Sequence, residues 1–447
     1  MSEAAILDAF TSALGLEPVP VEFTGTSTLA SAFAVSQFAA ASIAAAGVAV
    51  SGLADVAAPV TVDRGRADAW FRTALAPVGW QTPSPWDAVA GDYASADGWI
   101  RLHTNAPRHK AAALRVLGVP AERGAVERAV RDWTGEDLES AVVDAGGCAA
   151  VMRGAAEWSR RPQGSSVAGE PLVAWGAGEE SPPSAHWRPS PGRPLAGLRV
   201  LDLTRVIAGP VATRFLAGLG ADVLRVDPPD WDEPAIVPDM TLGKRATRID
   251  ATTTVGRDAL ERLVVGADVL VHGYRPGALD ALVSPARRRE LRPGLVEVAL
   301  DAYGWSGPWA GRRGFDSLVQ MSGGIAEAGM RWAAAERPTP LPVQALDHAT
   351  GYLAAAAALA AIGRVRRGGV SSSARVSLAR TALELPLADP VEAPARQAQG
   401  PTSAQGPTRI ATPWGPADLL APPVAVGDVR LDWQRGPTEL GSDEPRW

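Results

Sequence analysis

Between Leu198 and Leu300 the chain alternates short apolar runs with helical ones, and no other feature of its 447 residues restricts the fold as strongly. Residues 198–203, 220–227, 267–271 and 295–300 are too short for core helices and rich in Val and Leu, as buried strands are. Residues 209–216 and 256–266 between them read as helices. Short apolar strands alternating with helices predict an α/β fold with a parallel, doubly wound sheet. Such a sheet places ligands beyond the carboxyl ends of its strands.

The flanks read differently. Residues 1–92 hold helices at 4–15 and 27–50, a strand at 59–63 and a helix at 65–76, a segment expected to pack on the sheet domain. Residues 93–175 form a second, smaller α/β or α+β domain, with a turn and strand at 97–103 and helices at 111–117, 124–133 and 136–145. The Gly-, Pro- and Ser-rich run 176–193 is a linker. The main domain is expected over 194–385, and 386–447 as an irregular segment with one strand at 429–431.

A net charge of −6 does not suit a general nucleic-acid binder. Lys110 and Lys244 are the only lysines, so almost all of the 43 basic residues are arginine. Cys148, the single cysteine, allows no intrachain disulfide and no cysteine-built metal site. The uncharged residues 31–50 are long enough to cross a bilayer, yet mostly alanine, which points to a buried helix. The first residues lack the pattern of a signal peptide, so the expected location is cytoplasmic, with no membrane and no nucleic-acid partner.

Residues 341–343 read as a short apolar strand leading into an Ala-rich helix that reaches Ile362, with Asp347 in its first turn. Arg337 is the only lysine or arginine within ten residues of it. The helix dipole favours an ionised carboxylate there by about 0.3–1 kcal/mol. Asp347 is then either a helix N-cap or a desolvated carboxylate poised as a nucleophile. Residues 33–47, followed by a strand at 60–63, echo residues 343–357 followed by 375–378, with Ser36 or Gln37 where the later stretch has Asp347. A dinucleotide site fits poorly, because the first strand runs into Thr204-Arg-Val-Ile-Ala-Gly-Pro210 with no G-x-G-x-x-G.

Those residues instead resemble the family III CoA-transferases, the CaiB/BaiF family. The resemblance rests on residues 194–204, Ala208-Gly-Pro210, residues 219–227 and Gly243-Lys-Arg245. It continues through residues 267–279, Tyr303-Gly-Trp-Ser-Gly-Pro308 and Gly314-Phe-Asp-Ser-Leu318. It implies a Rossmann-like sheet domain, an acyl-CoA and a small carboxylic acid as partners, and a homodimer. Coenzyme A enters as co-substrate, with no metal and no NAD. Asp347 matches the family's catalytic aspartate, and Val206, Ala208, Lys244, Arg245, Gly273, Tyr274 and Arg275 match its CoA-binding positions.

The activity implied is CoA transfer from an acyl-CoA to an acid through an aspartyl anhydride and an aspartyl-CoA thioester. Backbone N–H groups at the helix start or in Ser322-Gly-Gly324 are the expected oxyanion donors, and Trp305, Trp309 and Trp332 the candidate acyl-pocket aromatics. Two departures stand out: Asp227-Pro-Pro229 follows the second strand where relatives commonly place an arginine, and His272-Gly-Tyr274 replaces Glu-Asn-Phe. Lys244, Arg245, Arg248 and Arg275 remain as phosphate partners. The small-domain segment, which follows the catalytic helix in relatives, here precedes the sheet. A racemase branch of the same fold places a histidine where this chain has Phe315, so an acyl-CoA racemase or isomerase is one alternative and a non-catalytic acyl-CoA-binding relative another.

Overall fold

The computed structural model of the chain describes residues 2–56, 58–177, 179–180, 187–388 and 406–447. Seven of the described strands form one sheet, in the order Lys244–Arg248, Asp222–Asp227, Arg199–Leu203, Val269–His272, Val296–Asp301, Ser373–Ser377 and Ala174–Trp175. The first six are mutually parallel and the last is antiparallel. Counting the parallel strands along the chain, the order runs third, second, first, fourth, fifth, sixth. It therefore reverses between Arg199–Leu203 and Val269–His272.

Side chains alternate across this sheet, and each face collects its own core. Val200, Val223, Val269 and Val298 meet the helices Ala208–Gly218 and Ala345–Gly368 on one side. Leu201, Leu224 and Leu270 meet Leu260 and Leu263 of the helix Thr254–Gly266 on the other. Both faces are covered, so the strands read as continuous apolar runs, as the alternation predicts.

The helix Val35–Ala54 lies in the same core as Ala345–Gly368, and both start in the same unusual way. Ala34 (φ −76°, ψ 59°) and Gln344 (φ −76°, ψ 65°) each centre an inverse γ-turn. In each, the first helical N–H returns to the carbonyl two residues back, Val35 to Phe33 and Ala345 to Val343, both at 2.8 Å. A strand, an N-cap and a short helix then follow each: Val60–Asp63 with the Asp63 cap, and Ser373–Ser377 with the Ser377 cap. The echo between 33–47 and 343–357 is thus an echo of backbone geometry. Both long helices are apolar enough to span a bilayer by composition, and both are largely buried inside the protein.

The smaller domain is a three-stranded antiparallel sheet, Gly91–Ala94, Trp99–Leu102 and Ala149–Val151, with the helices Pro107–Leu117, Arg123–Val130 and Gly135–Asp144. Ala174–Trp175, assigned to this domain from sequence, instead completes the large sheet beside Ser373–Ser377. Most of the linker, 181–186 with 178, lies outside the described residues, as does 389–405 of the C-terminal segment.

The rest of that segment is not wholly irregular. Thr408–Thr412 pairs with Gly415–Leu419, which also pairs with Leu75–Pro77, while Val424–Val426 pairs with Val60–Asp63. The expected strand at 429–431 reduces to a single bridge between Val426 and Val429. The helix expected at 65–76 spans Arg64–Trp70, because Leu75–Pro77 is drawn into the C-terminal hairpin. These short strands find partners more than 300 residues away, beyond the reach of any local pattern.

Candidate active site

A cavity of about 340 Å³ opens where the strand order reverses. Leu203, Gly273 and Asp301 reach it from the carboxyl ends of three parallel strands, Asp347 from the long helix, and Arg108 and His109 from the smaller domain. Of the positions matched from sequence, Val206, Ala208, Gly273, Tyr274, Arg275 and Asp347 line it.

Lys244 and Arg245 do not. The Lys244 ammonium is fully buried, donating to Asp202 Oδ2 (3.0 Å), Thr213 Oγ1 (2.6 Å) and the Pro210 carbonyl (3.0 Å), and burial pulls its pKa down to about 8. It pins the helix Ala208–Gly218 to the first strand. Arg245, at the sheet edge, pairs with Asp222 and the Arg446 carbonyl. Arg248 donates to the carbonyls of Pro228, Pro229 and Trp231 and so shapes the loop that departs from the family pattern.

Asp347 is the third residue of its helix, so it is not the N-cap. Gln344 occupies that position and makes no side-chain cap. The cap arrives from another helix: Asp316 Oδ2 accepts from the Asp347 N–H at 3.0 Å, and the Leu346 N–H also bonds to this carboxylate. Gln320 donates to Asp316 Oδ1 and accepts from the Leu341 N–H at 2.8 Å. One side chain therefore holds both the cap and the lead-in, which is a loop and not the expected strand. The N–H groups of the helix start are consumed in this way and are not free oxyanion donors. Ser322-Gly-Gly324 is also away from the cavity, with Gly324 packed on the Ala155 backbone and Ser322 Oγ against Tyr303 OH.

The Asp347 carboxyl itself has no hydrogen-bond partner among the described residues, and only 7% of the residue is exposed. Burial and the neighbouring Asp316 charge push its pKa well above the usual carboxylate range. Asp316 is raised to about 6, chiefly by burial. The expectation that the helix dipole would keep Asp347 ionised is overturned: desolvation and a second carboxylate outweigh it. Two adjacent buried carboxyls share few protons and cannot both ionise cheaply.

The same cavity also carries the opposite charge. Arg108, Arg205, Arg275 and Arg313 line the cavity without a carboxylate partner among the described residues. Burial, then Arg313 and Arg205, lower the pKa of Arg108, and burial, then Arg275, lower that of Arg313. Cations that depress one another around a cavity await an anion. The Arg205 guanidinium also lies over the rings of Trp231 (5.2 Å) and Tyr274 (5.1 Å).

Phe315 stands where the racemase branch has its histidine, yet an imidazole is stacked directly upon it. His103 lies 3.7 Å away in a parallel plane, and His109 meets its edge at 5.9 Å. Burial lowers their pKa values to about 3 and about 4, so both are neutral at pH 7. Trp305 lines a separate cavity, Trp309 stacks under Arg312, and Trp332 is half-exposed, so none of the three expected aromatics borders Asp347. Trp231 does. Cys148 is buried, with its thiol pushed up to about 12, and is no nucleophile.

Gly351, one turn after Asp347, sits where a Cβ would lie 2.4 Å from the Ala208 carbonyl oxygen. Gly351→Ala is expected to part the two helices, costing about 1–3 kcal/mol in a denaturant titration and displacing both Asp347 and Ala208.

A crevice at the strand-order reversal, lined by a buried carboxyl and by arginines without an ion-pair partner among the described residues, is a candidate anion-binding site of the doubly wound α/β class. The sequence model of CoA-transferase family III matches residues 195–415, and these residues belong to that family. The chain is 35% identical over 217 residues to "Probable fatty acyl-CoA transferase Rv3272" of Mycobacterium tuberculosis, covering 44% of this chain and 53% of that one. It is 30% identical over 193 residues to "Succinyl-CoA--D-citramalate CoA-transferase" of Chloroflexus aurantiacus, covering 40% and 48%. The crystal structure of Rv3272 in its orthorhombic form is 33% identical, covers 43% of this chain and 57% of that one, and gives a TM-score of 0.40. The chain spans about half the length of the curated relatives it matches.

Proposed function

We propose that the protein transfers coenzyme A from an acyl-CoA to a carboxylic acid, with Asp347 as the nucleophile. The observation that carries this reading is the Asp347 carboxyl: buried, without a hydrogen-bond partner among the described residues, and lining the same cavity as four arginines that form no ion pair among those residues. A ligand with an anionic head and a reactive neutral tail matches that polarity. The arginines would take the phosphates of CoA, with Arg205, Trp231 and Tyr274 beside them. The thioester would then lie toward Asp347.

The ionised Asp347 oxygen attacks the thioester carbonyl carbon, the C–S bond breaks, and the CoA thiolate departs, leaving a mixed anhydride. The thiolate then attacks the aspartyl carbonyl, releasing the first acid as a carboxylate and leaving an aspartyl-CoA thioester. The acceptor carboxylate repeats both exchanges in reverse, so no net proton is consumed. Covalent catalysis replaces one hard displacement by two easier ones. Burial and the Asp316 charge raise the pKa of Asp347, so the rate should rise with pH as Asp347 loses its proton, at a pH well above that of an ordinary carboxylate.

Incubating the protein with an acyl-CoA and hydroxylamine tests the reading. The expected product is a hydroxamate on Asp347, located by peptide mass spectrometry. Exchange of labelled CoA between acids with no adduct on Asp347 would remove it from the role. His103 stacked on Phe315 gives a specific ground for a second reading, α-proton exchange of an acyl-CoA. Run in D₂O without an acceptor acid, the same incubation separates the two, because only the second reading places deuterium on the α-carbon.

A further inference from the structure

A second cavity, of about 280 Å³, adjoins the first. Val206, Trp231 and Phe315 line both, so the two cavities meet at these three side chains. The junction is held under strain. Val206 has φ +66°, a left-handed conformation that costs a β-branched residue about 1–3 kcal/mol. Glu233 keeps it there: its Oε2 accepts from the Val206 N–H and from Trp231 Nε1, both at 3.0 Å. Glu233 Oε1 in turn pairs with the fully buried Arg225 at 2.5 Å. Strain fixed by a buried ion pair marks a wall whose position matters to a ligand.

The second cavity differs in character from the first. Pro83, Pro85, Trp86, Pro107 and Ile236 give it apolar walls, and the stacked rings of His103 and Phe315 close one side. No lysine or arginine lines it. Its ionisable groups are Asp87, Asp230, Asp232 and Glu233, with the neutral His103. Asp87 is paired with Lys110 and Glu233 with Arg225, whereas Asp230 and Asp232 form no ion pair among the described residues. An anion entering here meets carboxylates and no cation, the reverse of the arginine-lined side.

We propose that this second cavity receives the acyl group of the thioester and selects an uncharged, apolar group over a dicarboxylic one. The inference rests on the CoA-transfer reading for the identity of the ligand. The size sets a limit too: the cavity is roughly twice the ~150 Å³ that accommodates one benzene ring, so it takes a short or medium acyl group and not a long fatty chain. A second carboxylate on the acyl group would lose water against the apolar walls and meet the Asp230 and Asp232 charges at the rim, which opposes binding.

The test uses unreactive thioether analogues of CoA, measured by calorimetry on the whole protein, so that turnover is not needed. The hexyl analogue is expected to bind on the order of tenfold tighter than the 3-carboxypropyl analogue. Ile236→Trp fills the cavity and should abolish that preference. Asp230→Asn with Asp232→Asn, at the exposed rim, should narrow it by improving the carboxypropyl analogue alone. Equal binding of the two analogues to the unaltered protein, or a preference that survives Ile236→Trp in a folded variant, overturns the proposal. Should hexanoyl-CoA fail to exchange with any acid while the analogue preference stands, the transfer reading falls and the selective pocket remains.

Discussion

Asp347→Asn should abolish CoA exchange, by on the order of 10⁴-fold or more, and at the same time make the fold more resistant to heat at alkaline pH. The first effect follows from removing the nucleophile. The second follows from the same burial that prepares it. The folded pKa of Asp347 is raised above its unfolded value by desolvation and by Asp316. Its contribution to stability is therefore fully present below the unfolded pKa and is lost as pH rises through the folded one. The amide has no proton to lose. Thermal melts should show little difference between variant and parent near pH 4, and a variant melting higher by about 2 °C or more near pH 8.5. A shift of the same size at both pH values would mean that packing, and not the carboxylate charge, sets the difference.

Asp316→Ala should cost about 2–4 kcal/mol of stability, because the Leu346 and Asp347 N–H groups and the Gln320 amide lose a buried acceptor together. Transfer should fall by on the order of 10²-fold, carried by kcat and not KM, since the helix start that aims Asp347 loses its anchor. Asp316→Asn separates positioning from charge. It keeps an acceptor for the helix, so most of the stability should return. It also removes the like charge beside Asp347, so the rising limb of the pH–rate profile should move to lower pH. Asp316 is a positioning residue if that limb moves and kcat recovers. Loss of kcat in the asparagine variant with an unmoved limb would instead make it merely structural.

The large sheet was legible because its strands are buried on both faces and carry their signal locally. Runs such as Val200-Leu201 and Val269-Leu270 state their environment without reference to partners. Asp347 could be singled out for a similar reason: a lone carboxylate in the first turn of an alanine-rich helix stands out at any scale. Lys244, next to an arginine and after the second strand, looked equally available to a phosphate. Only burial distinguishes the Lys244 ammonium, bound by Asp202 and Thr213, from a cation free to meet phosphate.

The sequence alone thus determined the α/β class and the strand–helix alternation, and singled out a carboxylate that lines the cavity. The tertiary structure decided which charges face one another. It brought Asp316 across to cap a helix 31 residues away, set Arg108 and His109 of the smaller domain in the cavity that Asp347 lines, and stacked His103 on Phe315. Local propensity and periodicity are properties of neighbours along the chain. A pKa, a cap supplied in trans and a cavity's polarity depend on groups far apart in it, and those distances exist only once the chain has folded.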